Sequence, residues 1–184
     1  VKRYRPKSLS LTLYHLEVEK TPDWCTDWRD ALEFDIVEFG AGGIQLLRSN
    51  QVPRDQFGHA VRSDGASLVG ANPGDWRLEW VVIGQETACG DPIFALDESP
   101  NPVFSAMHGT GYKDPKVMAP SLEAFTQCLI AFEGFAARRV SPPTPEEETQ
   151  FLTVIRSLTH GEHDALSFWT VLIELDLDAF NWPV

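Results

Sequence analysis

Few side chains in this sequence combine the type and the spacing that chemistry needs. His160 and His163 stand at i and i+3, a separation at which a helix can turn two imidazoles toward one metal. Gly161 lies between them at an expected helix junction, and no thiol is near in sequence, so no metal site is assigned. His108 could meet Asp91 or Asp97 across a hairpin as an acid–base set. A strand-end histidine beside solvated carboxylates is the commoner arrangement. Cys89, between Ala88 and Gly90, has no base beside it in sequence and reads as a packed turn thiol. The glycines of Gly40-Ala41-Gly42-Gly43-Ile44 suggest a phosphate loop, but the segment opens no predicted helix and Gln45 stands where a third glycine would be. They read as a helix terminator. Gly65-Ala66-Ser67 lacks the closing glycine of a nucleophile elbow. No catalytic residue, metal ligand or cofactor is therefore assigned.

The charge balance says more than the motifs. The chain has 184 residues, enough for one domain with a modest appendage, and carries 15 Lys and Arg against 27 Asp and Glu. Lys2, Arg3, Arg5 and Lys7 lie at the very start, so residues 8–184 hold 11 basic groups against the same 27 acidic ones. A body this acidic repels phosphate backbones and anionic bilayers, which argues against nucleic acid and membrane as partners. A basic macromolecule is what such a field attracts. Three widely spaced cysteines, Cys25, Cys89 and Cys128, without a Cys-x-x-Cys pair, suit free thiols in a reducing compartment. With no apolar span of about 20 residues in view, a cytoplasmic protein is expected.

The elements that would position these groups follow from periodicity. Leu9, Leu11 and Leu13 alternate with polar residues and predict a strand. Trp28, Ala31, Leu32 and Phe39 lie near one helical stripe in and just past the acidic stretch 17–38, with Gly40 as its stop. Ile44 to Leu47 predicts a short strand, and residues 49–76 read mostly as loop. Three apolar runs, Trp80–Ile83, Ile93–Leu96 and Val103–Met107, are joined by turn-rich segments and predict consecutive antiparallel strands. Ser121 caps a helix whose Leu122, Phe125, Leu129 and Phe132 share a face. Thr144, Pro145 and Glu147 form a capping box ahead of a face of Phe151, Val154, Ile155 and Leu158. A last helix from about Asp164 should bury Leu166, Trp169 and Ile173. The fold class is α+β: a central, mostly antiparallel sheet with helices against it over 1–140, and a C-terminal two-helix extension over 141–184 packed on that body.

One stretch is informative as a whole. Residues 80–97, WVVIGQETACGDPIFALD, followed by MAPSLEAFTQCL at 118–129, resemble the SUKH superfamily. The matching positions are Ile83-Gly84, Gly90-Asp91, Ile93, Leu96-Asp97, Ser121 and Phe125. The segment 28–44 is similar to the family's helix and Asn-Gly-Gly turn, with Gly42 and Gly43 matching and Ala41 in place of the asparagine. The resemblance covers roughly residues 22–135. It implies an α+β binding protein rather than an enzyme, in bacteria commonly an immunity protein that neutralises a cognate toxin such as a nuclease or deaminase. It also implies that Gly42, Gly43, Gly84, Gly90, Asp91 and Phe125 define the fold.

The expected function is stoichiometric neutralisation of a basic toxin. Glu86, Asp97, Glu98 and Asp114 are the candidate contacts, because the strand reading sets them beside turns and so in water. Two alternatives stay open. One is a regulatory interaction module with no toxin partner, and the other a hydrolase using Asp91, Asp97 and His108.

Overall fold

The computed structural model describes residues 21–62, 64–107, 111–137 and 142–174. The expected strand at Leu9–Leu13, the basic opening and His108 lie outside the described residues. In chain order the elements are α1 (Asp23–Asp30), β1 (Ile36–Phe39), β2 (Gly42–Leu46), the one-turn α2 (Val52–Asp55), β3 (Trp80–Glu86), β4 (Pro92–Leu96), β5 (Val103–Ser105), β6 (Lys116–Ala119), α3 (Leu122–Ala136), α4 (Pro145–Leu158) and α5 (His163–Glu174). The six strands form one sheet in sequence order, every neighbouring pair antiparallel. Helix α3 packs against β1 at one edge and β6 at the other, so the sheet curls around it. This is the α+β architecture expected.

The apolar runs in the middle of the chain are continuous because both faces of the sheet are covered. In β4, Ile93 and Ala95 enter the core beneath the helices, while Phe94 turns to a second core on the other face. That second core is built from the segment read as loop. Trp76 is buried there with Ala60, Val61, Val82, Phe94 and Ala106. Its indole donates to the Trp80 carbonyl at 3.2 Å. The segment's isolated bridges, such as Val61 with Ser67 and Val69 with Trp76, carry no periodicity, so the sequence pattern missed it.

The stretch 28–44 corrects the helical stripe. Helix α1 ends at Asp30, and Ile36 to Phe39 is a strand whose exposure alternates, with Val37 and Phe39 inside and Ile36 and Glu38 outside. The acidic residues between them had obscured this period of two. Gly40 does adopt a left-handed φ of 59°, but it turns a hairpin between β1 and β2 instead of stopping a helix.

Gly43 and Gly84 owe their place to space. A Cβ on Gly43 would lie 2.5 Å from the Val37 carbonyl oxygen, and one on Gly84 would lie 2.6 Å from that of Gln45. Gly84 sits inside β3, beside a register shift, so the strand runs on to Glu86, past the end expected at Ile83. Gly90 has φ 76° in the β3–β4 turn, which the Glu86 amide closes onto the Asp91 carbonyl at 2.9 Å. Gly43→Ala is expected to cost about 1–3 kcal/mol, because backbone must move to admit the methyl. Urea unfolding should show it, with Gly134→Ala as control: that site is open helix, where alanine stabilises by about 0.8–1 kcal/mol.

The helical expectations hold in most details. The Ser121 hydroxyl accepts from the Ala124 amide at 3.0 Å, and Leu122, Phe125, Leu129 and Phe132 are all buried. The Thr144 capping box is present in both directions, at 2.7 and 3.3 Å. Along α4, Phe151 and Ile155 are buried, whereas Val154 is 46% exposed and lies off the packed face. In α5, Trp169 and Ile173 are buried and Leu166 half-buried. Phe151, Ile155 and Trp169 belong to the same core as Phe125 and Ile93, so the hydrophobic core crosses the boundary drawn at residue 140.

Candidate functional site

Antiparallel register sorts the polar residues into two ends of the sheet. Gln85 pairs with Pro92, Ile93 with Ser105, and Ser105 with Lys116, which gathers Glu86, Asp91, Ser105 and Lys116 at one end. Trp80 pairs with Leu96, so Asp97 and Glu98 lie at the other end. Asp91 and Asp97 flank β4, roughly 20 Å apart at about 3.3 Å per residue. The strand keeps them from acting on one substrate atom together.

The four candidate contact residues therefore do not form one face. Asp97 is exposed, and its carboxylate accepts the Trp24 indole N–H at 2.6 Å, tying α1 to the end of β4. Glu98 is exposed beside it. Asp114 is exposed at the opposite end and pairs with Lys116 at 2.7 Å, which raises the Lys116 pKa above the ordinary lysine value. Glu86 departs from expectation. It is only 8% exposed, and its carboxylate accepts the Ala88 and Cys89 amides at 2.6 and 2.7 Å. It stabilises the turn from inside and is not a solvated rim charge.

Between α5 and this end of the sheet runs a groove of about 450 Å³. Asp164, Ser167, Phe168, Val171 and Leu172 form its helical wall, and Ser105, Ala106, Met107 and Lys116 face them. Met107 is 64% and Val171 51% exposed. Apolar side chains left in water beside one another mark a contact surface more often than a monomer's ordinary exterior. Glu86, Cys89 and Asp91 close the groove at the β3–β4 turn. At the rim, Lys116 faces Asp114 at 2.7 Å and Asp164 at 3.9 Å, so carboxylates outnumber it. His163 Nδ1 lies 3.8 Å from Asp164.

Ser105 is the anomaly of this groove. It is 8% exposed, yet its hydroxyl has no hydrogen-bond partner among the described residues. It faces the groove, where water or a partner group can reach it. Ser105→Ala is therefore expected to change stability by less than about 1 kcal/mol, read as a nearly unmoved urea midpoint at unchanged slope. A lower midpoint would mean that the hydroxyl is bonded in the free protein.

A second cleft, of about 460 Å³, lies beside Arg29, Asp35 and Arg48, whose charges are paired with one another. Buried Arg29 donates to the Leu47 carbonyl at 2.9 Å, to the Leu32 carbonyl at 3.4 Å and to Asp35. Arg48 donates twice to the other Asp35 oxygen, at 2.9 and 2.6 Å. These bonds, from Arg48 first, hold the Asp35 carboxyl below its usual pKa. Their stabilisation is full above the ordinary Asp value and is lost as pH falls through the lowered one. Asp35→Asn is expected to lower the melting temperature at pH 7, and the gap should close in acid. Because Asp35 is half-exposed, added salt should shrink it too.

The remaining candidate chemical groups are dispersed. His160 lies within the α4–α5 connection with φ 55°, and His163 opens α5, so they do not share one helix face. Cys25, Cys89 and Cys128 are free thiols. Burial pushes Cys25 and Cys128 up to about 12, which keeps both protonated at neutral pH. Among the described residues no three His, Cys, Asp or Glu side chains are grouped to hold a metal ion. No helix there is long and apolar enough to cross a membrane. Sequence reasoning missed the groove itself, because β6 and α5 meet only in three dimensions. The exposed Met107-Lys116-Val171 set has no spacing to find. Compared with models of known families, with curated proteins and with solved structures, the chain matches none of them.

Proposed function

We propose that this chain is a non-catalytic binding protein that neutralises a basic bacterial toxin, of nuclease or deaminase type, by stoichiometric contact. The observation that carries this reading is the groove between α5 and the sheet: apolar Met107 and Val171 in water, framed by Asp114 and Asp164. Apolar centres with charged rims are how specific protein contacts combine affinity with selection of partner. The overall charge of −12 supports it, because a cationic surface built to hold phosphate is drawn to such a body. The resemblance of residues 80–97 and 118–129 to the SUKH superfamily supplies the toxin part of the reading.

The test is expression of the reading frame directly upstream of this one, alone and with this chain. The expected result is growth arrest by the first and rescue by the pair, with a one-to-one complex on size exclusion. Arrest that this chain does not relieve, with no complex formed, overturns the proposal. A complex with a harmless partner would make the chain a regulatory interaction module instead.

A further inference from the structure

We infer that the α5 groove is an anchor site for a basic amphipathic helix of the partner, taking two apolar side chains at i and i+4 and hydrogen-bonding a flanking Lys or Arg through Ser105. This rests on the reading of the protein as a binder of a basic partner, and it names the segment recognised.

Dimensions support a helix. The α5 wall runs from Asp164 to Leu172, nine residues whose eight rises span about 12 Å at ~1.5 Å per residue. That is the length of two helical turns, the span over which a docking helix presents anchors one turn apart. Ser167 and Val171 occupy one ridge of α5 at i and i+4 and are both exposed. The small Ser167 lets a second helix axis approach, and Val171 with half-buried Phe168 supplies the apolar surface it would meet. Met107 forms the opposite lip, and an unbranched thioether adapts its shape to the anchor that arrives.

Charge sets the sign of the occupant. Lys116 is already held by Asp114 at 2.7 Å, and Asp164 stands 3.9 Å away, so this lip keeps a net negative charge that a Lys or Arg of the entering helix would neutralise. An acidic helix would meet like charge on the same lip. The buried, unpartnered Ser105 hydroxyl lines the groove and can accept an N–H from such a residue.

The experiment is fluorescence anisotropy with a labelled peptide of about 15 residues, long enough for helix, bearing Leu at i, i+3, i+4 and i+7 and Lys elsewhere. A second peptide has Glu for every Lys, and a third has the same composition with the Leu residues scattered. The protein variants are Val171→Glu and Met107→Glu in the groove, Ser105→Ala at its floor, and Leu78→Glu as an exposed apolar control outside it. The Leu–Lys helix should bind the parent and the Leu78→Glu protein alike. It should bind Val171→Glu and Met107→Glu about tenfold more weakly or worse, as loss of an anchor contact does. Ser105→Ala should weaken binding severalfold, and the Glu and scattered peptides should bind poorly. Three results each overturn the inference: no binding, equal binding to all variants, or equal binding of the scattered peptide. Growth rescue does not enter this measurement. A groove that binds the peptide in a chain that relieves no toxicity leaves the inference standing and removes the toxin reading, and the reverse pattern does the opposite.

Discussion

Trp169→Ala is expected to cost about 3–5 kcal/mol, the range for removing a large aromatic from a packed core. The indole is fully buried, and its N–H donates to the Met118 carbonyl on β6 at 3.3 Å. Its ring lies 5.8 Å from Phe132 and 6.4 Å from both Phe125 and Phe151, so it joins α5 to α3, α4 and the sheet edge at once. Alanine would leave a cavity among three aromatics and an unpaired carbonyl on β6. Domains of this kind hold only about 5–15 kcal/mol in total, so the variant should unfold at much lower urea. Deleting residues 142–174 should be worse, because Phe151, Ile155 and Trp169 all leave the core together and apolar surface on α3 is bared. Val154→Ala, at a 46% exposed position of α4, should change the midpoint little. If Trp169→Ala melts with the parent, the C-terminal helices do not dock as described.

Reversing charge at the groove lip, with Asp114→Lys and Asp164→Lys together, is expected to slow association with the basic partner by about tenfold or more, within the 10–1,000-fold that electrostatic steering supplies. Glu98→Lys should have much less effect. It lies at the other end of the sheet, roughly 20 Å away by strand length, while screening sets in near 8 Å at physiological ionic strength. Stopped-flow association at several salt concentrations separates the cases. The parent rate should fall steeply with salt, and the doubly reversed variant should show a shallower slope. Dissociation should change less for these lip charges than for Val171→Glu. An on-rate indifferent to both salt and lip reversal would move the contact away from this end of the sheet. The same reversal at Glu98 producing the larger loss would assign the contact to the Asp97–Glu98 end.

Much of the fold was legible because local rules agreed with tertiary ones. The capping residues Ser121 and Thr144 start helices wherever they stand, since their oxygens satisfy amides within the same turn. The runs at 80–83, 93–96 and 103–105 needed no partner to be recognised, and short turns between them dictated antiparallel neighbours. The hairpin at Gly40 and strand β6 were not legible. Ile36 to Phe39 carries too few residues to outweigh a helical spacing that includes Trp28, and Lys116 to Ala119 looks like the approach to α3. Glu86 was misplaced for a related reason. A carboxylate beside a turn is in water by default, and only the forward reach of this one to the Ala88 and Cys89 amides buries it.

By itself the sequence determined the acidic charge, the fold class, the starts of α3, α4 and α5 and the antiparallel order of β3 to β5, because each depends on composition or on neighbours within a few residues. Which carboxylates face one partner, which glycines have no room for a methyl, and where a hydroxyl is buried without a bond were decided only by tertiary structure. These depend on strands and helices distant in sequence. Ser105 meets Lys116 across β5 and β6, and both meet Asp164 and Val171 only because the buried Trp169 pins α5 against that edge.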